Sequence, residues 1–256
     1  LYTGSSPNQS ASVLASYLSK NFSAEYVFVG SDYIFPHEIN RIMVDLLGNH
    51  HAKVKDEIYI PLKASNSDIQ EAIEKIKRCG EVVIFSTVIG EAAVNFTKAY
   101  HSAGFDKNKM PIASLTFGEI DAQKAGFEAS KGYIVVSPYF SAIKSEANNR
   151  FIRAYRQAYG EREAIAAETE ASYSQIQLFC EAVKRCGNTE RDSILASIDT
   201  FTIDAPQGAI QVDQQTHHTF VWPKVGICKG NGKFEIIKSS PSRVKPDPYL
   251  VNHLSS

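Results

Sequence analysis

Short apolar runs alternate with amphipathic stretches through the first half of the chain. Runs rich in Val, Ile and Phe predict buried strands at residues 26–29, 57–61, 82–86, 112–115 and 133–137. Apolar residues three or four apart predict helices at residues 10–22, 37–48 and 91–103, one that opens with an S-x-x-Q capping box at residues 67–70, and a short one after Glu119. Short strands joined by helices are typical of an α/β fold with a doubly wound parallel sheet.

The pattern changes after Pro138. Longer amphipathic stretches predict helices at residues 145–160 and 168–186, and a shorter one at 189–198. From Thr202 onwards the chain reads as short β segments separated by turns. The second half is therefore expected to be a different structural part.

Charge and composition exclude several classes of function. The formal net charge is −1, and the Lys and Arg residues are scattered, so direct binding to nucleic acid or to an anionic membrane is not favoured. No apolar run approaches the ~20 residues that span a bilayer. The first residues lack the features of a secretory signal, which decides little because a mature exported chain would lack them too.

No catalytic, cofactor or metal-binding motif stands out. The chain has no G-x-S-x-G, H-E-x-x-H, Walker A or G-x-G-x-x-G sequence, and its four cysteines show no metal-ligand spacing, so they are interpreted as reduced thiols. Four glutamates near residue 165 are interpreted as the solvated first turn of a helix rather than as paired catalytic carboxylates. They are Glu161, Glu163, Glu168 and Glu170, with Arg162 between them.

Three loops that follow predicted strands are the candidates for a binding site. They are GSDYIFP at residues 30–36, and the segments 86–91 and 114–119. The carboxyl ends of parallel strands share one edge of a sheet, and the N–H groups of the next helices can bind a carbonyl or carboxylate oxygen there. Tyr33 and Phe35 would add aromatic walls. The alternative, that Ser and Thr only cap helices while the rings fill a seam between domains, stays open.

Several blocks of the sequence resemble one known family. The blocks are VFVGSDYIFPHEIN, DEIYIPLKASNSDIQEAIEKI, VVIFSTVIGE, PIASLTFGE, VVSPYFSAI, IDAPQGAIQVD and VKPDPYLVNHL. They are similar to the AmiC-type amide sensors, which are negative regulators of aliphatic amidase operons. These sensors have the type I periplasmic-binding-protein fold, as do the receptors of urea and branched-chain amino-acid importers.

The resemblance implies two α/β lobes, joined by three crossovers, that close on a ligand. Residues 8–137 and 219–245 would form the second lobe, and residues 145–210 would be the C-terminal helical part of the first lobe. Family members carry a further N-terminal segment, so a truncated first lobe is expected. An apolar stripe should then lack its partner, and the chain should associate, for example as a homo-oligomer. The stripe contains Tyr155, Tyr159, Leu178 and Phe179.

The resemblance also implies a function. The ligand would be a small neutral amide such as acetamide or urea, and the partner an RNA-binding antitermination protein in the cytoplasm. The alternative is an extracytoplasmic receptor that serves an ABC permease for amides, urea or branched-chain amino acids; an amidase is the weakest third possibility. The ligand-binding residues would be Ser31, Tyr33, Phe35, Thr87, Val88, Thr116 and Glu119. Phe35 replaces a tyrosine of similar sequences, which removes one hydroxyl.

Overall fold

The computed structural model describes residues 1–161, 163–230, 232–248 and 250, which form an α/β fold. Its helices are α1 (Pro7–Asn21), α2 (Ile34–Gly48), α3 (Asn66–Arg78), α4 (Gly90–Ser102), α5 (Glu119–Ala125), α6 (Phe127–Ser130), α7 (Glu146–Tyr159), α8 (Ala167–Cys186) and α9 (Arg191–Ile198). Its strands are β1 (Glu25–Ser31), β2 (Lys53–Ile60), β3 (Val83–Thr87), β4 (Ile112–Ser114), β5 (Ile134–Ser137), β6 (Thr202–Ala205), β7 (Gly208–Val212), β8 (Thr219–Phe220), β9 (Lys224–Gly230) and β10 (Lys233–Ser239).

Two compact units share these elements. Among the described residues, the sheet unit comprises Ala11–Val136 and Val225–Ile237, and the helical unit comprises Leu1–Ser10, Ser137–Lys224 and those from Lys238 onwards. The expected second lobe, 8–137 with 219–245, covers the sheet unit and also extends into the helical unit at the ends of both of its segments.

A seven-stranded sheet organises the sheet unit, in the order β10-β9-β5-β4-β3-β1-β2. Strands β1 to β5 pair in parallel, as the alternation of strands and helices predicts. Aromatic side chains fill its core: the rings of Phe28 and Phe85 meet edge to face at 5.2 Å, and those of Phe117 and Tyr133 stack at 4.0 Å. The interior strands β3 and β4 are buried along their whole length, which explains their mostly apolar sequences.

The helical unit has a smaller antiparallel sheet, in the order β6-β7-β8. Helices α8 and α9 pack on it through a buried cluster of Leu178, Ala182, Ile198, Phe201, Ala205, Ile210 and Val212. The indole of Trp222 lies against Gly208 and donates a hydrogen bond to the carbonyl of Ala209 at 2.8 Å.

The expected apolar stripe is only partly unpartnered. Leu178 is fully buried within the cluster just described, so the prediction was wrong for this residue. It faces β6 and β7, which supply the packing surface that the sequence interpretation assumed to be missing. Tyr159 and Phe179 are exposed, by 69% and 45%, and Ile176 on α8 is exposed by 63%.

The start of α3 also differs from the prediction. The capping box is formed by Ser65 and Asp68, not by Ser67 and Gln70. The Asp68 N–H donates to the Ser65 hydroxyl at 3.3 Å, and the Ser65 N–H donates to the Asp68 carboxylate at 2.7 Å. The two sequence patterns overlap, and the aspartate accepts the reciprocal bond, so the helix begins at Asn66.

Glu170 corrects the interpretation of the glutamates as a solvated helical turn. Its side chain is fully buried in α8, whereas its neighbour Glu168 is exposed. The Glu170 carboxylate accepts hydrogen bonds from the Ser174 hydroxyl at 2.7 Å and from the Gln207 side-chain amide at 2.9 Å. A charged residue can be buried when it is paired in this way, and sequence spacing does not reveal such partners.

Candidate ligand-binding edge

The three candidate loops meet at one edge of the sheet unit. Strands β1, β3 and β4 are consecutive in the sheet and run in parallel, with Gly30 beside Thr87 and Ser86 beside Ser114. Their carboxyl ends therefore lie together, as predicted.

Serine and threonine side chains join these loops to one another. The Ser31 hydroxyl accepts a hydrogen bond from the Ile89 N–H at 3.2 Å, which connects the loops after β1 and β3. The Thr116 hydroxyl donates to the Val88 carbonyl at 3.2 Å, which connects the loops after β3 and β4. The three loops thus form one hydrogen-bonded edge.

Several loop N–H groups that could have bound a ligand oxygen are already paired. The N–H groups of Thr116 and Phe117 donate to the Ser114 hydroxyl at 2.9 and 3.1 Å, and the Gly118 N–H donates to the Asp121 carboxylate at 3.0 Å. Hydroxyl and carboxylate side chains commonly satisfy turn amides in this way. This part of the pattern fits the capping interpretation that the sequence left open.

Tyr33 and Phe35 are the accessible aromatic residues of this edge. Tyr33 is the residue before α2, in an extended conformation, and its ring is half-buried. The Phe35 ring is 40% exposed and lies nearly parallel to the Tyr33 ring, with 6.4 Å between centroids. Burial raises the pKa of the Tyr33 hydroxyl, which therefore stays protonated and able to donate at neutral pH.

The other candidate residues differ in accessibility. Thr116 is half-buried, whereas Ser31, Thr87, Val88 and Glu119 are buried in this structure. These four could contact a solute only after the loops rearrange.

Thr87 is a polar group that this structure leaves without a hydrogen bond. Its hydroxyl is buried, and no partner for it exists among the described residues. It lies where a side chain at Gly30 would be, because a Cβ there would come within 2.8 Å of both the Thr87 hydroxyl and the Pro36 Cβ. An unpaired buried hydroxyl costs roughly 1–3 kcal/mol. Gly30 thus lets the turn after β1 approach β3 closely.

Two exposed apolar residues on this edge were missed in the sequence analysis. Ile34, between the two aromatic residues, is 78% exposed, and Leu62, just after β2, is 50% exposed. β2 is the neighbour of β1, so both residues follow adjacent strand ends. The sequence offered one signal. Each of the two positions holds an apolar residue that is not needed for the buried face of any helix or strand.

A polar network beside β2 was also missed. The Tyr59 hydroxyl donates to the Glu57 carboxylate at 2.7 Å and accepts from the Asn40 amide at 3.0 Å. The His37 ring stacks on Tyr59 at 3.9 Å, and its Nε2 lies 2.9 Å from the Asp32 carboxylate. Burial, with the neighbouring Glu57, raises the pKa of Tyr59 to about 12.

The described part of the chain shows neither a metal-binding cluster nor a membrane-spanning helix. It contains no group of three or more His, Cys, Asp or Glu side chains arranged to hold a metal ion. None of its helices combines the length and apolar character needed to cross a membrane.

Known proteins share this architecture. A model of the periplasmic binding protein domain matches residues 1–255. A solute-binding protein of an ABC transporter from Rhodopseudomonas palustris HaA2, in complex with p-hydroxybenzoic acid, superposes with a TM-score of 0.86 at 19% identity, over 98% of this chain and 68% of that one. The leucine-, isoleucine-, valine-, threonine- and alanine-binding protein from Brucella ovis, in its closed conformation, superposes with a TM-score of 0.81 at 16% identity. The match covers 95% of this chain and 65% of that one.

A curated relative gives a shorter match. The limonene hydroxylase of Geobacillus stearothermophilus is 27% identical over 127 residues, which are 50% of this chain and 23% of that protein. That share is too small to assign an activity. The chain spans about two thirds of the solved structures that it resembles. With a domain match over nearly its whole length and the type I fold of solute-binding receptors, this chain belongs to the periplasmic binding protein domain family.

Proposed function

We propose that this chain contributes a ligand-binding lobe to an extracytoplasmic solute-binding protein, which presents a small solute to the permease of an ABC importer. The observation that carries the proposal is the pair of accessible rings, Tyr33 and Phe35, at the carboxyl edge of the parallel sheet. Ligands of open α/β sheets bind at this edge. The protein would bind its solute without converting it.

The accessible groups suit a small solute with an apolar body and a polar head. The two rings offer an apolar wall, and the hydroxyls of Tyr33 and Thr116 offer hydrogen bonds. Every polar atom of an enclosed solute needs a partner, because each unpaired one costs roughly 1–3 kcal/mol. Short aliphatic amides and branched-chain amino acids meet this description, whereas urea offers only the polar head.

The second candidate is a cytoplasmic amide sensor that holds an antitermination protein inactive. The sequence blocks that resemble the amide sensors, among them GSDYIFP, support it. The two solved structures described above favour the receptor, because one is a solute-binding protein of an ABC transporter in complex with p-hydroxybenzoic acid and the other is an amino-acid-binding protein. Fractionation of native cells separates the two: recovery in the cytoplasm, bound to an RNA-binding protein, would reject the receptor.

The site is tested by substituting Tyr33 in the full-length protein. Affinities for acetamide, propionamide, urea, leucine and p-hydroxybenzoate are measured by calorimetry. For whichever solute binds, Tyr33→Ala is expected to weaken affinity at least ~10-fold, because it removes an aromatic wall and a hydroxyl. Tyr33→Phe measures the hydroxyl alone.

The control is Phe127→Ala. Phe127 is also an exposed aromatic residue of the sheet unit, but it lies before β5, at the opposite edge of the sheet, so affinity should stay unchanged. Equal affinities for the parent and Tyr33→Ala would reject Tyr33 as a contact. Ammonia release from acetamide by the full-length protein would show an enzyme instead.

A further inference from the structure

The buried amine of Lys224 joins three separate stretches of backbone in the helical unit. Its Nζ donates hydrogen bonds to the carbonyl oxygens of Pro138 at 2.9 Å, Gln207 at 3.0 Å and Trp222 at 2.8 Å, and the residue is only 7% exposed. A protonated amine has three N–H donors and a neutral one has two. The three acceptors therefore match the charged form.

Two of these acceptors lie next to places where the chain passes from one unit to the other. One passage is between Val136 and Ser137, and the other is between Lys224 and Val225. Pro138 comes just after the first passage, and Trp222 and Lys224 itself come just before the second. The strands that carry these passages, β5 and β9, are neighbours in the large sheet.

The charge on Lys224 has a buried counterpart in Glu170. Gln207 connects the two, because its side-chain amide donates to the Glu170 carboxylate while its backbone carbonyl accepts from the amine. Burial lowers the pKa of Lys224 to about 8, and the negative charge of Glu170 opposes that shift. Burial raises the pKa of Glu170, while hydrogen bonds from Ser174 and Gln207 favour its charged form.

Such a pair is an unusual choice if stability were its sole role. The free-energy cost of taking two charges out of water offsets much of their attraction. A protein with apolar residues in place of such a pair is often equally stable. What the pair adds here is geometry: one ammonium fixes three carbonyls at defined positions.

We propose that Lys224, kept charged by Glu170, is a clamp that fixes the two chain passages at Ser137 and Lys224 to each other. Closure of a two-lobed protein is absorbed by a few residues in such connecting segments. The clamp would therefore oppose bending there, a consequence that rests on the proposed function; the clamp itself rests on the hydrogen bonds of Lys224.

Hydrogen exchange followed by mass spectrometry tests the clamp on the full-length protein without solute. Lys224→Met keeps the unbranched shape of the side chain up to the fourth atom and removes the amine with its donors. Amides at residues 139–141 and 222–226 should exchange at least ~10-fold faster, the effect of losing a hydrogen bond to a charged donor. Lys229→Met is the matched control, since Lys229 lies on the same strand and only forms a surface pair with Glu235. It should change these rates less than ~2-fold.

Two results would overturn the clamp: faster exchange spread evenly over both units, or no change at residues 139–141 and 222–226. If Lys224→Met does not fold, Glu170→Gln decides. It removes the countercharge with little change in shape, so the same segments should exchange faster by a smaller factor, while Glu168→Gln on the exposed face should have no effect. Unchanged exchange in Glu170→Gln would equally reject the proposal.

Discussion

At the level of single residues, the turn after β1 depends on Gly30, which has no side chain. Gly30 lies where the Pro36 ring and the Thr87 hydroxyl already occupy the space that a Cβ would need. The hydroxyl of Thr87 is held there although it has no hydrogen-bond partner in the described structure. The candidate edge is therefore fitted closely around one glycine.

Gly30→Ala should destabilise the protein by about 1–3 kcal/mol, because the added methyl group overlaps two neighbours in a packed region. Gly48→Ala is the control: a Cβ there has no atom within 4 Å. Alanine at the last residue of α2 should be neutral or stabilising by up to about 1 kcal/mol. Chemical denaturation of both variants measures the difference. Equal midpoints for parent and Gly30→Ala would contradict the crowding.

Predictions for single residues succeeded where an aromatic residue was not needed for core packing. They failed where the outcome depended on the direction in which a side chain points. Tyr33 and Phe35 were expected to be accessible because no core needed them, and both are. The sequence shows that Ser31 and Thr87 follow strands, but not that their side chains turn inward as the chain bends. Their role in binding stays a prediction.

At the level of elements, the first turn of α3 shows how two overlapping signals are resolved. Ser65 and Ser67 both precede the helix, and each has a suitable residue three positions later. The bonds that form are those between Ser65 and Asp68, and they lower the pKa of the Asp68 carboxyl.

Substituting the two serines separately tests this assignment. Ser65→Ala should lower the free energy of unfolding by about 1 kcal/mol, the usual effect of losing an N-cap. Ser67→Ala, inside the first turn, should change it by less than about 0.5 kcal/mol. Thermal or urea unfolding measures both. The reverse order of effects would restore the capping box predicted at residues 67–70.

The bounds of buried strands were predicted more accurately than those of an exposed strand. Strands β3 to β5 were placed within one or two residues because they are continuous apolar runs bounded by turns. β2 begins at Lys53 rather than near Glu57, since this edge strand exposes Lys53, Asp56 and Glu57 and its first half looks polar. Hydrogen bonding to one neighbour, which apolar content does not reveal, extends it.

At the level of the whole molecule, α7 and α8 leave an apolar surface uncovered. Tyr159, Tyr173, Ile176 and Phe179 are all exposed, and the last three lie at helical spacing on α8. Soluble monomers rarely expose contiguous apolar surface of this kind.

The chain should therefore self-associate, and Ile176→Lys with Phe179→Lys should weaken that association at least ~10-fold, since two apolar contacts are lost. Leu195→Lys, at an exposed leucine on α9, is the control and should have little effect. Sedimentation velocity over a range of concentrations gives the comparison. A parent chain that sediments as a monomer throughout and binds no hydrophobic dye would contradict the prediction.

The class of fold could be predicted from the alternation of strands and helices, but the full sheet could not. Its order brings β9, which begins 87 residues after β5 ends (224 − 137), next to β5, with β10 on the far side of β9. Nothing in local periodicity encodes such distant pairing. The buried pair of Glu170 and Lys224 was invisible for the same reason, because its members lie 54 positions apart (224 − 170) in segments that look ordinary.

Trp222 is the only tryptophan in the chain. Its carbonyl accepts from Lys224, and its indole is held against Gly208. Fluorescence of this chain that is excited selectively at tryptophan therefore originates from a single position beside one passage of the chain. Changes in emission wavelength or quenching during a solute titration would follow that position in real time, with no extrinsic dye attached.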